Sequence, residues 1–255
     1  MKKVFVCRDT ITGIFSGIYE AWKLVLQERS TGIAIKGMVE QELFCDYIEA
    51  KESEQKAVAV EKLIWTHLGD EAYWNLYHAL LSHDEKKGDA VFRMMLEARK
   101  IPNSRKIMNH LANPDVQKVF QLSRTVSNEA HYHKEFIRFR ELENGVLFSK
   151  INPKTKVLTC IADHFSNRLP LENWMVYDET HKEVLVHEAK KQWVLVIDEN
   201  INLEKTKLFS ETEQQFELLW KDFCESISIK ERENKKLQRQ HLPLWYRENM
   251  VEFTK

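Results

Sequence analysis

Two histidines separated by one residue raise the first question of chemistry in this sequence. His131 and His133 flank Tyr132 in the stretch RTVSNEAHYHKEFIRFREL, residues 124–142. On a β-strand, residues two apart point to the same face, where two imidazoles could share a metal ion. A histidine beside a carboxylate could instead act as a general acid or base. The choice depends on the secondary structure that carries the pair.

The apolar pattern around the pair predicts a helix, which separates the two imidazoles. At about 100° per residue, His131 and His133 point about 200° apart, so no shared metal site is predicted. His133 falls among apolar residues and is interpreted as a buried, hydrogen-bonded core imidazole. His131 falls on a polar stripe, which is either a solvated face or an anion-binding face. The other members of the stripe are Arg124, Ser127, Lys134, Glu135 and Arg138.

Two further places combine residue types that suit acid–base chemistry. Asp163 and His164 lie in IADHFSNR, where a predicted strand passes into a short helix, and the pair is a candidate general acid and base. Asp163 can instead cap that helix. Asp178 follows the predicted strand WMVY, where a carboxylate is either catalytic or a turn former. The catalytic candidates are therefore His131, Asp163, His164 and Asp178.

The C-terminal part of the chain carries the largest local excess of positive charge. Residues 229–247 contain six basic side chains and two acidic ones, although the whole chain has a net charge of -1. Such a segment is solvated, docks on its own domain, or neutralises phosphates while Trp245 and Tyr246 stack on bases. The candidate nucleic-acid-binding residues are Arg124, Lys134, Arg138, Arg168, Arg232, Asn234, Lys235, Arg239 and Tyr246.

Composition and motifs narrow the class of protein. The sequence has no GxGxxG, P-loop, GxSxG or HExxH motif and no cysteine cluster, so no cofactor is predicted. Its four cysteines lack CxxC spacing and are expected to be buried free thiols of a reducing compartment. No signal peptide and no apolar stretch of membrane-spanning length is recognised, which predicts a cytoplasmic protein that does not contact a membrane.

Periodicity predicts a mainly helical first half. Short strands are predicted at 4–7 and 33–35 with a helix between them, and residues 40–52 are predicted to form a loop. Helical spacing then continues from 53 to about 142. Pro114 opens the helix that carries the two histidines, with Asn113 as its N-cap.

After Asn144 the period changes to short β-branched and aromatic runs in a strand-rich region, 145–198, which is typical of antiparallel hairpins or a meander. A last helix is predicted from 211 to 229, within a helix and basic-aromatic tail over 211–255. The pattern favours one α+β domain over residues 1–255, mainly helical with a small antiparallel sheet in its C-terminal half. The predicted strands lie at 146–149, 157–161, 174–177, 183–187 and 193–197, with a short helix over 163–168.

Four blocks of this sequence together resemble a family of uncharacterised bacterial proteins described as probable DNA metabolism proteins. The resemblance extends over nearly the whole chain. The blocks are the opening VFVCRDTITGIFSGIYEAW, EAHYHKEFIRFREL at 129–142, IADHFSNRLPLENWMVYDE at 161–179, and LLWKDFCESISIKERENKKLQRQHLPLWYRENMVEF at 218–253.

The resemblance rests on individual positions within these blocks. In the second block a glycine commonly precedes the first phenylalanine of the family pattern, whereas this chain has Glu135. The matched positions are Glu129, Ala130, His131, Phe136, Arg138, Phe139, Asp163, His164, Phe165, Arg168, Trp174, Tyr177, Asp178, Glu231, Arg232, Asn234, Gln238, Pro243 and Tyr246.

The resemblance implies a role in DNA repair or modification beside a radical S-adenosylmethionine protein. Some relatives of the domain are fused to a uracil-DNA glycosylase domain. The favoured hypothesis is a DNA-binding or adaptor partner of that radical enzyme. One alternative is a glycosylase-like hydrolase acting on nucleic acid, in which His131 works with a carboxylate. A second alternative is a purely structural protein-docking partner.

Overall fold

The computed structural model describes residues 1–26, 30–40, 42–197 and 204–253. The chain divides into two compact units, Met1–Ser127 and Asn128–Lys255. Helices together with two small sheets confirm the predicted α+β class. The single domain over 1–255 stays a prediction.

The first unit opens with a three-stranded sheet in which all neighbouring strands are parallel. Its strand order is β2-β1-β3, so the crossover through helix α1 joins adjacent parallel strands, as in other βαβ units. The elements are β1 (Lys2–Cys7), α1 (Ile11–Val25), β2 (Thr31–Ile35) and β3 (Cys45–Glu49).

Helices make up the rest of the first unit. Asn113 caps the longest of them, because its side-chain Oδ1 accepts hydrogen bonds from the amides of Asp115 and Val116. The predicted start of this helix at Pro114 is confirmed. The elements are α2 (Glu54–His67), α3 (Gly69–Leu80), α4 (Lys87–Ala98), a 3₁₀ helix (Ser104–Asn109) and α5 (Pro114–Phe136), which continues into the second unit.

The second unit contains a five-stranded sheet of order β4-β5-β6-β7-β8. Strands β6, β7 and β8 form the predicted antiparallel meander, and β4 pairs antiparallel with β5 across a turn in which Gly145 has φ 77°. The strands and the helix among them are β4 (Arg140–Glu141), β5 (Leu147–Ile151), α6 (Leu158–Arg168), β6 (Trp174–Asp178), β7 (Glu183–His187) and β8 (Val194–Ile197).

The end of the chain is helical and largely exposed. None of the residues of α7 is buried, although its sequence is amphipathic. The elements after β8 are a 3₁₀ helix (Glu204–Lys207), α7 (Glu211–Ser226), a 3₁₀ helix (Lys230–Arg232), α8 (Lys235–His241), α9 (Leu244–Arg247) and a 3₁₀ helix (Val251–Phe253).

Four details of the predicted elements are wrong. Residues 157–161 belong to helix α6, because Leu158, Ile161 and Phe165 bury a face at helical spacing. The loop predicted over 40–52 contains β3, an edge strand that gains its hydrogen bonds from β1. The long helix ends at Phe136 and not near 142. Helix α6 also crosses over between β5 and β6, which makes that pair parallel.

Two hydrophobic clusters organise the second unit on the two faces of its sheet. One face packs Trp174, Val176 and Leu185 against α6 and against Ala130 of α5. The other face carries Phe148, Tyr177 and Val184.

The four cysteines are less buried than the sequence predicted. Only Cys7 is fully buried, and Cys45, Cys160 and Cys224 are half-buried free thiols.

In the first unit, Gly17 allows helix α1 to lie directly on strand β1. A Cβ atom at this position would lie 2.1 Å from the Cys7 sulfur. Helix propensity alone would favour Gly17→Ala by about 1 kcal/mol. We expect the opposite sign, a loss of roughly 1–3 kcal/mol in the free energy of unfolding, because the added methyl group overpacks this position. Chemical denaturation measures this change.

The matched test is the double variant Cys7→Ala with Gly17→Ala. Removing the sulfur leaves room for the new methyl group, so Gly17→Ala should cost less in this background than in the wild type. Equal costs in both backgrounds would show that the two residues do not interact.

Candidate functional site

The structure confirms that the two histidines of HYH lie on opposite sides of α5. The His131 side chain is 71% exposed, and its Nε2 lies 3.0 Å from Oε1 of Glu135, one helical turn away. His133 is only 4% exposed. Among the described residues, no group of three or more histidine, cysteine, aspartate or glutamate side chains could hold a metal ion.

The polar stripe predicted around His131 is shorter than the sequence suggested. Arg138 lies beyond the end of α5, so its assignment to the helical stripe is wrong. Its guanidinium donates to Glu252 Oε1 at 3.1 Å and to the carbonyl oxygens of Glu135 and Ile137.

The other two cations of the stripe remain on the helix. Arg124 is exposed, and its guanidinium lies 5.8 Å from the ring centre of Phe120. Lys134 is half-buried, and its charge helps to lower the pKa of His164.

A buried carboxylate lies one turn before His133 on α5. Oε1 of Glu129 accepts a hydrogen bond from the Lys154 amide at 2.7 Å. Oε2 accepts one from the Thr155 amide at 2.9 Å and one from the Thr155 hydroxyl at 2.6 Å. Three donors compensate the removal of this carboxylate from water. They also fasten the loop after β5 to the helix.

The His133 imidazole is neutral at physiological pH. Burial lowers its pKa from 6.5 to about 4, and the nearby charges of Glu129 and Asp178 only partly oppose that effect. Nε2 of His133 is buried, and no described residue forms a hydrogen bond with it. The burial predicted for His133 is confirmed, but this nitrogen lacks the partner that a core histidine normally has.

Aromatic rings surround His133. The Tyr246 ring packs edge-on against His133 at 5.1 Å between ring centres, and it also contacts Tyr132 and Phe136. Burial raises the pKa of the Tyr246 hydroxyl, with Glu129 and Tyr132 adding to the effect. The stacking of Tyr246 on bases stays a prediction, and the structure places its ring within this cluster.

Asn152 fastens the C-terminal segment above this cluster. Its carbonyl oxygen accepts a hydrogen bond from Trp245 Nε1 at 2.7 Å, and its Oδ1 accepts one from Asn249 Nδ2 at 3.1 Å. Its own Nδ2 donates to Glu179 at 2.7 Å. One residue therefore connects β5, the end of β6 and the segment around α9.

Asp163 and His164 lie inside α6, so the prediction that Asp163 caps a helix is wrong. The helix begins five residues earlier, at Leu158. Asp163 accepts a hydrogen bond from Trp193 Nε1 at 2.8 Å. His164 is exposed, and its pKa is lowered by partial burial and by the charges of Lys134 and Arg168. Arg168 is exposed at the end of the same helix.

Asp178 is a turn former. It is fully buried at the end of β6, where Oδ1 accepts hydrogen bonds from the amides of Thr180 and His181. Its Oδ2 lies 2.6 Å from Nδ1 of His181. These contacts hold the turn between β6 and β7 and occupy both carboxylate oxygens.

The basic segment forms an exposed surface, named here the basic surface and composed of Lys230, Arg232, Lys235, Lys236 and Arg239. All five side chains are exposed. Asn234 positions α8, because its Oδ1 accepts a hydrogen bond from the Leu237 amide at 3.0 Å. Lys235 lies 3.6 Å from Glu233, an ion pair at the surface that contributes little to stability.

Helix α8 separates its charges from its apolar side. At about 100° per residue, Lys235, Lys236 and Arg239 fall within one sector of the helix. Leu237 and His241 fall in the opposite sector and line an open groove with Ile227. The separation leaves the three cations facing away from that groove.

Asn152 and Asn249 were not predicted as site residues, and Glu129 was named only as a position of the family resemblance. Glu129 and His133 are four residues apart, a spacing that places both on one face of a helix and could have identified the pair. Asn152 and Asn249 are 97 residues apart. No local pattern joins them.

The fold and these surfaces define an α+β protein with a buried glutamate and a buried histidine on one helix and with an exposed basic surface. Within the described part of the chain, no helix has the length and apolarity to cross a membrane. The chain belongs to the family described as a domain of unknown function (DUF4130), whose model matches residues 85–252. The match includes every candidate site residue. No curated protein matches the chain.

The buried imidazole gives a test based on pH. His133 has a folded-state pKa of about 4 against 6.5 when exposed, so its neutral form favours the folded state. This contribution is complete above pH 6.5 and is lost as pH falls towards 4, by roughly 3 kcal/mol in total. We expect His133→Leu to remove that part of the pH dependence in urea unfolding. His131→Gln, at the exposed position, should retain it, and an unchanged profile in His133→Leu would contradict the assignment.

Proposed function

We propose that this protein binds nucleic acid through its basic surface and acts as an adaptor in DNA metabolism. The observation that carries the proposal is the exposure of five cations, Lys230, Arg232, Lys235, Lys236 and Arg239, within ten residues. Cations that line a nucleic-acid backbone release condensed counterions, which gives affinity without sequence preference. The resemblance to probable DNA metabolism proteins supports DNA as the nucleic acid.

The distribution of charge supports this assignment because the net charge of the chain is near zero. Helix α7 carries five acidic residues and one basic residue, whereas 230–239 carries five basic and two acidic ones. Positive potential is therefore concentrated on a short segment. An anionic polymer would be directed to the basic surface by this asymmetry.

The adaptor role requires a second surface for a protein partner, and α7 supplies a suitable one. Its apolar side chains lie at helical spacing and are 43–63% exposed. Exposed apolar patches of this kind mark protein interaction sites. The resemblance names a radical S-adenosylmethionine protein as the partner. The stripe, named here the apolar stripe, consists of Phe216, Leu219, Trp220, Phe223 and Ile227.

The alternative of a hydrolase that uses His131 has less support from the geometry. His131 is exposed and pairs with Glu135. Asp163 accepts from Trp193, and Asp178 is occupied by its own turn. No hydrogen bond or ion pair among the described residues joins His131 to Asp163, His164 or Asp178, so binding is preferred to hydrolysis.

Charge reversal on α8 tests the nucleic-acid interface. In the triple variant Lys235→Glu, Lys236→Glu, Arg239→Glu, we expect weaker binding to a fluorescent duplex oligonucleotide. The slope of log K against log salt should fall by about 0.9 for each phosphate that the protein no longer neutralises. Anisotropy titrations at several salt concentrations measure both quantities.

The matched control reverses three exposed lysines of the first unit, Lys51→Glu, Lys62→Glu and Lys106→Glu. It changes the net charge of the chain by the same amount. Equal losses of affinity in the two triple variants would assign binding to overall charge and contradict the proposed interface.

Two substitutions in the apolar stripe test the partner surface. Phe216→Ser with Phe223→Ser should reduce co-purification with the radical S-adenosylmethionine protein by more than tenfold, because buried aromatic anchors carry much of the energy of an interface. Duplex binding should not change.

Strand β8 provides the control for the loss of exposed apolar surface. Val194 and Ile197 are also exposed, so Val194→Ser with Ile197→Ser removes surface of the same kind elsewhere in the unit. Full association in the α7 variant would exclude the stripe as the docking surface.

A further inference from the structure

A second concave region of the second unit is separate from the basic surface. It is a cleft of about 390 Å³ beside β5 and β6, a volume within the range of small-molecule sites. None of the five residues of the basic surface lines it. Its lining includes the cations Arg138, Arg140 and Lys150, the carboxylates Glu179 and Glu248, and the amide of Asn249.

The cleft adjoins the cavity that contains His133. That cavity holds about 20 Å³, room for one water molecule. Arg138, Lys150 and Asn249 line both the cleft and the cavity. His133 is one of the residues that line this cavity, and its buried Nε2 has no hydrogen-bond partner among the described residues.

Two cations of the cleft retain donors for an anion. Arg140 donates through Nε to Glu217, and the described residues provide no hydrogen bond to its two terminal nitrogens. Lys150 makes one hydrogen bond, to Glu179 at 3.1 Å, and an ammonium group has three donors. A guanidinium with both terminal nitrogens available matches two phosphate oxygens.

The same region offers a flat surface and uncharged polar groups. The Arg140 guanidinium lies 3.5 Å from the ring centre of Phe209, so its outer plane can stack on a further ring. Asn249 donates to Asn152 through Nδ2, and its amide oxygen remains an acceptor. The amide of Asn249 suits the hydrogen-bonding edge of a base.

We propose that the cleft binds a nucleotide, with its phosphate on Arg140 and Lys150 and its base towards Asn249, which also lines the cavity beside His133. Inorganic phosphate would engage only the cations, and a nucleoside only the stacking and amide groups. A nucleotide engages both sets. The site goes beyond the proposed function because it recognises a single unit and uses different residues.

Calorimetric titration of the protein with the four 2′-deoxynucleoside 5′-monophosphates tests the proposal. At least one should bind about tenfold more tightly than its nucleoside and than inorganic phosphate. Arg140→Gln and Lys150→Gln should each weaken it by about tenfold or more, the effect of losing one charge-assisted hydrogen bond.

Two further measurements show whether the nucleotide binds in this cleft or on the basic surface. Lys235→Gln with Lys236→Gln should leave nucleotide binding unchanged while weakening duplex binding, so failure of one site is distinguishable from failure of the other. The NMR resonances of the His133 ring should shift on addition of the nucleotide, which reports the site even if Arg140→Gln disturbs the fold.

A single-stranded trinucleotide distinguishes the source of the ligand. Competition with the bound monophosphate would assign the site to a unit of a nucleic-acid strand, and binding of the monophosphate alone would assign it to a free nucleotide. The proposal is overturned if no monophosphate binds more tightly than inorganic phosphate, or if Lys150→Gln leaves the affinity unchanged and the His133 resonances do not move.

Discussion

The hydrogen bonds to the Glu129 carboxylate fix the part of the second unit that carries the candidate residues. A carboxylate removed from water needs compensating donors, and here the Lys154 and Thr155 amides and the Thr155 hydroxyl provide them. They hold the loop after β5 against α5. Asn152, two residues before Lys154, is thereby placed where it accepts from Trp245 and Asn249.

The contacts of Asn152 explain why the C-terminal segment contains both the buried ring of Tyr246 and the exposed helix α8. Tyr246 is held within the rings around His133, whereas α8, just before it in the chain, lies fully exposed. The Asn152 contacts anchor the chain after α8, and Arg140 pairs with Glu217 in α7 before it. The basic surface is therefore presented between two anchored points, although none of its own side chains is buried.

The sequence predicted the features that depend on local spacing. Angular position on a helix was enough to place His133 in the core and His131 in solvent, and Asn113 with Pro114 was enough to place the start of α5. Composition was enough to locate the basic segment. The face of a helix, its N-cap and the local charge each depend only on residues that are close together in the sequence.

The predictions that proved wrong concern features that depend on contacts between residues far apart in the sequence. Residues 157–161 are rich in β-branched and apolar types, and only their packing against the sheet selects a helix. Arg138 was predicted to lie on α5, but the helix ends two residues before it. Its guanidinium instead pairs with Glu252, which is more than a hundred residues away in the sequence. The unpartnered nitrogen of His133 could not be foreseen, since its surroundings come from α5, β5 and the C-terminal segment.

An NMR titration tests residue by residue whether the basic surface contacts nucleic acid. A ¹⁵N-labelled sample is titrated with a duplex oligonucleotide at low salt, and shifts of backbone amides are recorded along the chain. If the basic surface binds the duplex, the largest shifts fall within residues 230–239 and diminish as salt is added. Shifts that are absent there, or that cluster in the first unit, would contradict the proposed interface.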